Sequence, residues 1–456
     1  MSPLITVYVV NHNYGRFLSK AMDSLLSQTY DNIEILLIDD GSTDGSSQLV
    51  EGYDKYENVF PVLQSNKGLV VTNNIALRLA RGEYIMRLDA DDFLDPNAIS
   101  VLAAKLDRNP DVGLVFPDYY EVDADGEVTN LIRRHDFEKV ELLDQPAHGA
   151  CTLIRRKLLT EIGGYDEAFA CQDGYDLWIR FIQKHRVANV NLPLFYYRRH
   201  GNSLTSDEKR LLETRHSIYR KFVKNNHRQI SGLGVIPVKG SRFNPREMAL
   251  EMLGKKRLID WTVECALACD SIEHVLVTTP DNRIQKYLGD RYGDLITVLS
   301  RDRNLARANS YPDASIIDAM EKHSSNGHEL PESIVILPVE APFRQPNQID
   351  AALDVMRIFD ADRVVSVRIE TSTHYRHNGQ GLQPLNAQRL LGLEAEALYR
   401  DAGLLQAVRT TFIKKTGELF GGRVGHIVAD KRSSTLVLTK FDWAIAAKLA
   451  EQPADI

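Results

Sequence analysis

The sequence predicts an α/β protein built as two domains in tandem, and three observations carry that prediction. The chain has 456 residues, about three times a typical domain length. Through the first half, short apolar runs alternate with stretches of helical periodicity, the pattern of a mostly parallel sheet covered by helices on both faces. The alternation then stops at a strongly charged segment, Ser206–His227, and starts afresh beyond it.

Leu4–Val10 and Ile33–Ile38 are continuous, β-branched runs, the form of strands buried on both sides. Between them Phe17, Leu18, Met22, Leu25 and Leu26 recur at helical spacing. Val59–Leu63, Tyr84–Leu88 and Val112–Phe116 are further strands, with helices at 70–80 and 96–107. Within 206–227, Leu211, Leu212, Ile218, Phe222 and Val223 form one apolar stripe, so a linking helix is expected there. The second round comprises strands at Gly234–Pro237, Val275–Thr278, Ile334–Leu337 and Val364–Val367. Helices are expected at Leu258–Ala268, Asn282–Leu288 and Ile349–Phe359. The stretch 369–433 is less regular and suits an antiparallel excursion. The resulting boundaries are 1–205, 206–228 and 229–456.

Composition narrows the function. With 43 % hydrophobic and 26 % charged residues the chain is ordinary for a globular protein. A formal charge of −7 gives no support to nucleic-acid binding, which needs a basic stripe. Four cysteines rule out a disulfide scaffold and suit a reducing compartment; Cys265 and Cys269 are expected as buried thiols. No run approaches the ~18 apolar residues of a membrane span, although peripheral membrane contact stays open. The first apolar run has no basic segment before it, which argues against a signal peptide. A cytoplasmic location is expected.

Three acidic clusters in the first half carry candidate chemistry. Asp39-Asp40-Gly41-Ser42-Thr43-Asp44 follows a strand and opens a helix. It is either a capped turn or a set of carboxylates facing a ligand at a strand's carboxyl end. Leu88-Asp89-Ala90-Asp91-Asp92 packs three carboxylates into four residues. They repel one another unless donors or a hard divalent cation offset them. In QDGYDLWIR at 172–180, Asp173 stands at a helix start, as an N-cap or as a general base.

In this order, with Asn11-His12-Asn13-Tyr14-Gly15, Ser27-Gln28-Thr29-Tyr30, Asn66-Lys67-Gly68, Ala80-Arg81-Gly82 and Gly163-Gly164-Tyr165-Asp166, these motifs resemble the inverting family-two glycosyltransferases. The resemblance covers the first ~205 residues and implies a GT-A fold. It also implies roles. Asn11, Asp39 and Asp40 would hold the nucleotide's base and ribose. Asp89 and Asp91 would lie on the donor, Asp91 and Asp92 on a Mn²⁺ or Mg²⁺ ion, and Arg199 and His200 over the diphosphate. Asp173 would be the catalytic base, with His148 and Thr152 on the acceptor side. One departure is Thr72-Asn73-Asn74, where many members have Ala-Arg-Asn. It removes a cationic contact to the donor.

The second half resembles the cytidylyltransferases that activate acidic sugars, such as CMP-sialate synthetases. The matching segments are Gly254-Lys255-Lys256-Arg257-Leu258-Ile259, Ala341-Pro342-Phe343-Arg344 and Ala361–Val367. Lys239, Ser241 and Arg242 lie in a basic loop suited to weak nucleotide binding. The departures fall on the chemistry: Pro338 replaces a glutamine, and Leu436 and Leu438 stand where the family has two magnesium-binding aspartates. The expected protein is therefore a tandem of two nucleotide-binding α/β domains. It is a metal-dependent glycosyltransferase with a nucleotide-sugar donor, a UDP-sugar favoured, and a glycan or lipid-linked acceptor. Its second domain is expected to be inactive and to assemble a homodimer. The alternatives are a bifunctional enzyme that also makes a CMP-linked acidic sugar, and a non-catalytic scaffold of surface-glycan assembly.

Overall fold

The structure, a computed structural model, describes residues 2–133, 140, 142–169, 171–200, 208–239, 248–306, 312–370, 374–377, 379–384 and 398–452. The chain divides into two compact units, Met1–Arg215 with Ser372–Ala397, and His216–Thr371 with Leu398–Ile456. The division falls inside a helix, Glu208–Asn226, which buries Ile218, Tyr219, Phe222 and Val223. Segment 372–397, expected within the second domain, groups with the first unit.

The main sheet of the first unit has nine strands among the described residues. Its strands are β1 (Ile5–Asn11), β2 (Ile33–Asp40), β3 (Val59–Gln64), β4 (Tyr84–Asp89), β5 (Phe93–Leu94), β6 (Val112–Val122), β7 (Val128–Ile132), β8 (Leu153–Arg155) and β9 (Arg186–Arg198). The order is β3-β2-β1-β4-β8-β6-β9-β5, with β7 beside β6. The four strands β3, β2, β1 and β4 run parallel, and β8 enters antiparallel to both β4 and β6. Every residue of β1 and β2 is buried. Alternate side chains feed two cores: Ile5, Val7 and Val9 on one face, Tyr8 and Val10 on the other. Helix Gly15–Leu26 closes the first face with Phe17, Leu18, Ala21, Met22 and Leu25.

Two long strands go beyond the expectation. The strand expected to end at Phe116 runs on to Val122, paired with the thirteen-residue β9. Pro117 and Pro193 interrupt both patterns, and they fall at the register shifts around Asp118. Proline cannot donate to the ladder, so it is confined to such irregularities, and apolar continuity is lost there.

The second unit holds β10 (Gly232–Pro237), the short hairpin β11 (Met252–Leu253) and β12 (Lys256–Arg257), β13 (Ile272–Thr279), β14 (Thr297–Ser300), β15 (Ser333–Ile336) and β16 (Arg363–Glu370). Beyond these come the hairpin β17 (Tyr375–His377) and β18 (Leu382–Pro384), which belongs to the first unit, then β19 (Leu398–Arg409) and β20 (Val424–Val428). Its main sheet is seven-stranded among the described residues, in the order β14-β13-β10-β15-β19-β16-β20. Only β19 runs antiparallel to its neighbours. Cys265 and Cys269 are free, buried thiols.

Candidate active site

The carboxyl ends of β1, β2 and β4 lie side by side. Register pairs Asn11 with Asp39 and Val10 with Asp89, so the first two acidic clusters meet at one edge of the sheet. Ligands of parallel α/β sheets bind at such ends.

At β2, Asp39 accepts from Asn11 Nδ2 at 2.7 Å, from the Ser42 hydroxyl at 2.5 Å and from Ser47 at 2.8 Å. Burial pushes its carboxyl up, but the bonds from Ser42, Ser47 and Asn11 outweigh it and leave the group below its ordinary value. Asp40 accepts from Gln64 Nε2 and from the backbone amides of Lys67 and Gly68, at 2.8, 2.8 and 2.9 Å. It thereby ties down the turn after β3. Gly41 permits this, since its φ is +71° and a Cβ would stand 2.6 Å from the Asn66 amide. Asn11, expected against the nucleotide, is fully buried. Its Nδ2 is spent on Asp39, Ser42 and Ser46, while its Oδ1 is buried without a partner.

At β4, the three acids diverge. Asp91 Oδ2 lies 3.0 Å from His200 Nε2. That ring packs on Tyr14 and Phe17. Asp92 is 1 % exposed; its Oδ1 accepts from the Arg198 amide at 2.8 Å and its Oδ2 has no partner. Burial, then the charges of Asp91 and Asp89, hold the Asp92 carboxyl well above the usual range. Asp89 is pushed up to about 6, by burial first, against the opposing pull of Arg87. Asp91 and Asp92 were expected to bind one metal together. One oxygen of Asp92 is taken by the Arg198 backbone and the other is left over, and among the described residues no three His, Cys, Asp or Glu side chains gather as a ready ligand set.

Asp173 opens helix Asp173–Ile182. Its Oδ2 accepts from Arg87 Nη1 at 2.7 Å and Asn73 Nδ2 at 3.0 Å, and its side chain is 10 % exposed. Arg87 is 7 % exposed and also grips Asp89, with Nε 3.0 Å from Oδ1 and Nη2 3.2 Å from Oδ2. Arg87 is the site residue that sequence reasoning passed over, and Asn73, noted there only as a departure that removes a donor contact, lies on Asp173. A signal was present: Arg87 stands two before Asp89, hence on the same face of the strand.

On the acceptor side, the His148 ring sits among Tyr119, Phe195 and Tyr197, with centroids 5.3, 5.0 and 4.6 Å away. Thr152 is 4 % exposed and its hydroxyl donates to His148 O at 2.6 Å, so it closes the loop. Arg199 extends outward, with its amide on Val122 O and its guanidinium 3.8 Å from Glu121. In the second unit Lys239 is exposed; Ser241 and Arg242 lie outside the described residues. The Val437 amide donates to Glu340 O at 2.8 Å, which sets Leu436 and Leu438 beside the loop following β15. Leu436 packs on Gly403, and Leu438 is 54 % exposed.

A parallel sheet whose strand ends gather buried, mutually repelling carboxylates around one arginine marks an α/β enzyme with a polar, charge-based site. The family model described as glycosyl transferase family 2 matches residues 6–163. The chain is 30 % identical over 227 residues to the glycosyltransferase GlyG of Streptococcus pneumoniae, spanning 46 % of this chain and 75 % of that one. It is 28 % identical over 278 residues to an uncharacterized glycosyltransferase of Rickettsia typhi, covering 56 % and 86 %. Over 208 residues it is 28 % identical to the chondroitin synthase of Escherichia coli, covering 44 % and 30 %. A solved structure of S. aureus TarS residues 1–349 in complex with UDP-GlcNAc aligns with a TM-score of 0.42 at 19 % identity, over 48 % of this chain and 66 % of that one. The chain belongs to glycosyl transferase family 2, and it is a glycosyltransferase.

Proposed function

We propose that the first unit transfers a sugar, with inversion, from a nucleotide-sugar donor to a hydroxyl of a glycan or lipid-linked acceptor, with the help of a divalent cation. The observation that carries this is Asp173: a largely buried carboxylate with Oδ2 fixed by Arg87 and Asn73, and Oδ1 without a hydrogen bond among the described residues. Oδ1 takes the acceptor's hydroxyl proton while the acceptor oxygen bonds to the anomeric carbon. The bond from that carbon to the diphosphate breaks, and the diphosphate leaves with the electron pair. Attack opposite the leaving group inverts the configuration, and no covalent enzyme intermediate is needed.

The donor's nucleoside half is assigned to the strand ends at Asp39 and Asp40, with Asn11 supporting Asp39. Asp89, Arg199 and His200 are assigned to the diphosphate side, and His148 with its aromatic neighbours to the acceptor. The residues fit a Mn²⁺ or Mg²⁺ ion. Asp91 and His200 offer a carboxylate and an imidazole 3.0 Å apart, and Asp92 Oδ2 is buried without a partner. Such a site, with substrate phosphates completing the shell, suits a hard cation. When bound, the cation supplies charge stabilisation to the departing diphosphate.

For the second unit we propose a cytidylyltransferase-like domain without synthetase activity, serving binding and homodimer assembly in the cytoplasm. Its strand order and the leucines at 436 and 438 support this. The test is turnover of a panel of UDP-, GDP-, CDP- and CMP-sugars with Mn²⁺, with Mg²⁺ and with excess EDTA. Transfer is expected only with a cation. Full activity in EDTA overturns the metal assignment, and no turnover of any donor under any condition overturns the reading of the first unit.

A further inference from the structure

We infer that Arg87 and Asn73 are positioning residues that hold the Asp173 carboxylate in one orientation, and that Arg87 joins it to Asp89 through one shared guanidinium. The inference rests on the assignment of Asp173 as the base. Arg87 reaches three carboxylate oxygens on two different elements: both oxygens of Asp89 on its own strand, and Oδ2 of Asp173 on a helix 86 residues away. Only a planar fork spans such a set; a lysine is a single point of charge.

The surroundings are shaped to this guanidinium. A Cβ on Gly149 would stand 2.8 Å from Arg87 Nη2, so the loop at 148–152 crosses it only because that residue has no side chain. The Cys151 amide donates to Arg87 O at 2.9 Å and fixes the crossing. Gly174, the residue after Asp173, packs on the same loop, where a Cβ would meet Gly149 Cα in ordinary contact at 3.4 Å. Asn73 turns its NH₂ to Asp173 while its Oδ1 stays buried with no partner. An amide that leaves its oxygen unpaired in this way is held there by the carboxylate it serves. The two clamps share Oδ2, so the carboxylate cannot rotate without losing both, and Oδ1 remains for the acceptor proton.

The groups facing Asp173 are Arg87 and Asp89 from β4, Tyr8 from β1, and Tyr165, whose hydroxyl lies 3.0 Å from that of Tyr8. Among these Arg87 alone is positive. It therefore supplies the positive charge that offsets a buried, partly acidic neighbourhood, and its removal leaves two carboxylates facing one another without it.

The experiment is kcat/KM against pH for the full chain and for Arg87→Met, Arg87→Lys, Asn73→Ala and Asp173→Asn. It is read as nucleoside diphosphate release from the nucleotide sugar that the panel turns over. Arg87→Met is expected to lower kcat by about 10²-fold and to move the acid limb up by about 1–3 pH units. Arg87→Lys should keep the limb near its original place while losing part of kcat, and Asn73→Ala should move it up by less. An unmoved limb in folded Arg87→Met overturns the inference and makes Arg87 merely structural. If that variant does not fold, an unchanged limb and kcat in both Arg87→Lys and Asn73→Ala overturn it instead. Near-normal turnover by Asp173→Asn removes the base assignment itself. An inactive Asp173→Asn beside an unmoved Arg87→Met limb removes only the coupling.

Discussion

The carboxyl ends of the two sheets carry opposite chemistry. In the first unit they gather Asp39, Asp40, Asp89, Asp91 and Asp92, two of which, Asp89 and Asp92, are held above the ordinary carboxylate range by burial first and then by neighbouring negative charge, that of Asp91 in both cases. Among the described residues of the second unit, two arginines at the corresponding ends sit on backbone carbonyls. Arg301, after β14, donates to Val238 O and Thr278 O, and Arg344, after β15, donates to Leu404 O and Pro338 O. A guanidinium satisfied by carbonyls stabilises loops. A cluster of repelling carboxylates costs stability and persists where a ligand or cation offsets it. Among the described residues, the first unit's strand ends therefore concentrate carboxylates, while those beside β14 and β15 carry arginines already satisfied by the backbone.

The contrast is broken most directly at Asp173. Asp173→Asn should cut kcat by about 10²–10⁴-fold with donor KM nearly unchanged, since size is kept and only the proton acceptor is lost. Steady-state kinetics that show a near-normal kcat would return Asp173 to the role of a helix cap.

The second unit holds its own buried acid, but away from the strand ends, and its effect is on stability. Asp354 is 1 % exposed, neither oxygen accepts a hydrogen bond, and Arg220 is 3.8 Å away. Burial raises its carboxyl from 3.8 to about 7. A raised acid binds its proton more tightly folded than unfolded, so stability falls as pH climbs from about 4 through 7. The cost at full ionisation is up to about 4 kcal/mol. Thermal denaturation should show Asp354→Asn gaining on the wild type between pH 5 and pH 8. Parallel curves would mean that Arg220 already compensates the charge.

A smaller effect sharpens the first unit's side. Gly149→Ala places a methyl group against Arg87 and should cost about 1–3 kcal/mol of stability or displace the guanidinium, read as a lower Tm together with reduced kcat. The smallest effect expected is none at all: CTP with an acidic sugar should release no pyrophosphate on the full chain carrying Asp173→Asn. Robust magnesium-dependent synthesis would erase the contrast between the two units and make the protein bifunctional.

Much of the framework was legible. The all-buried strands Ile5–Asn11 and Ile33–Asp40 were visible in the largely apolar runs Leu4–Val10 and Ile33–Ile38, because both faces are covered. The acidic clusters stand out because carboxylates directly after such runs must sit at strand ends. Less legible were β6 and β9, whose prolines and tyrosines hide a half-exposed ladder. Cys265 and Cys269 proved to be buried, the first on helix Leu258–Leu267 and the second just past its end.

The sequence by itself determined that buried strands lie at the start of the chain and that acids would crowd after them, because backbone periodicity and charge are local properties of the chain. Only the tertiary structure decided which charges meet. Asn73 reaches Asp173 across 100 residues, Arg87 reaches it across 86, and His200 reaches Asp91 across 109. Those pairings depend on strand order, on register and on a glycine thin enough to cover a guanidinium. None of these is written in the spacing of neighbouring residues.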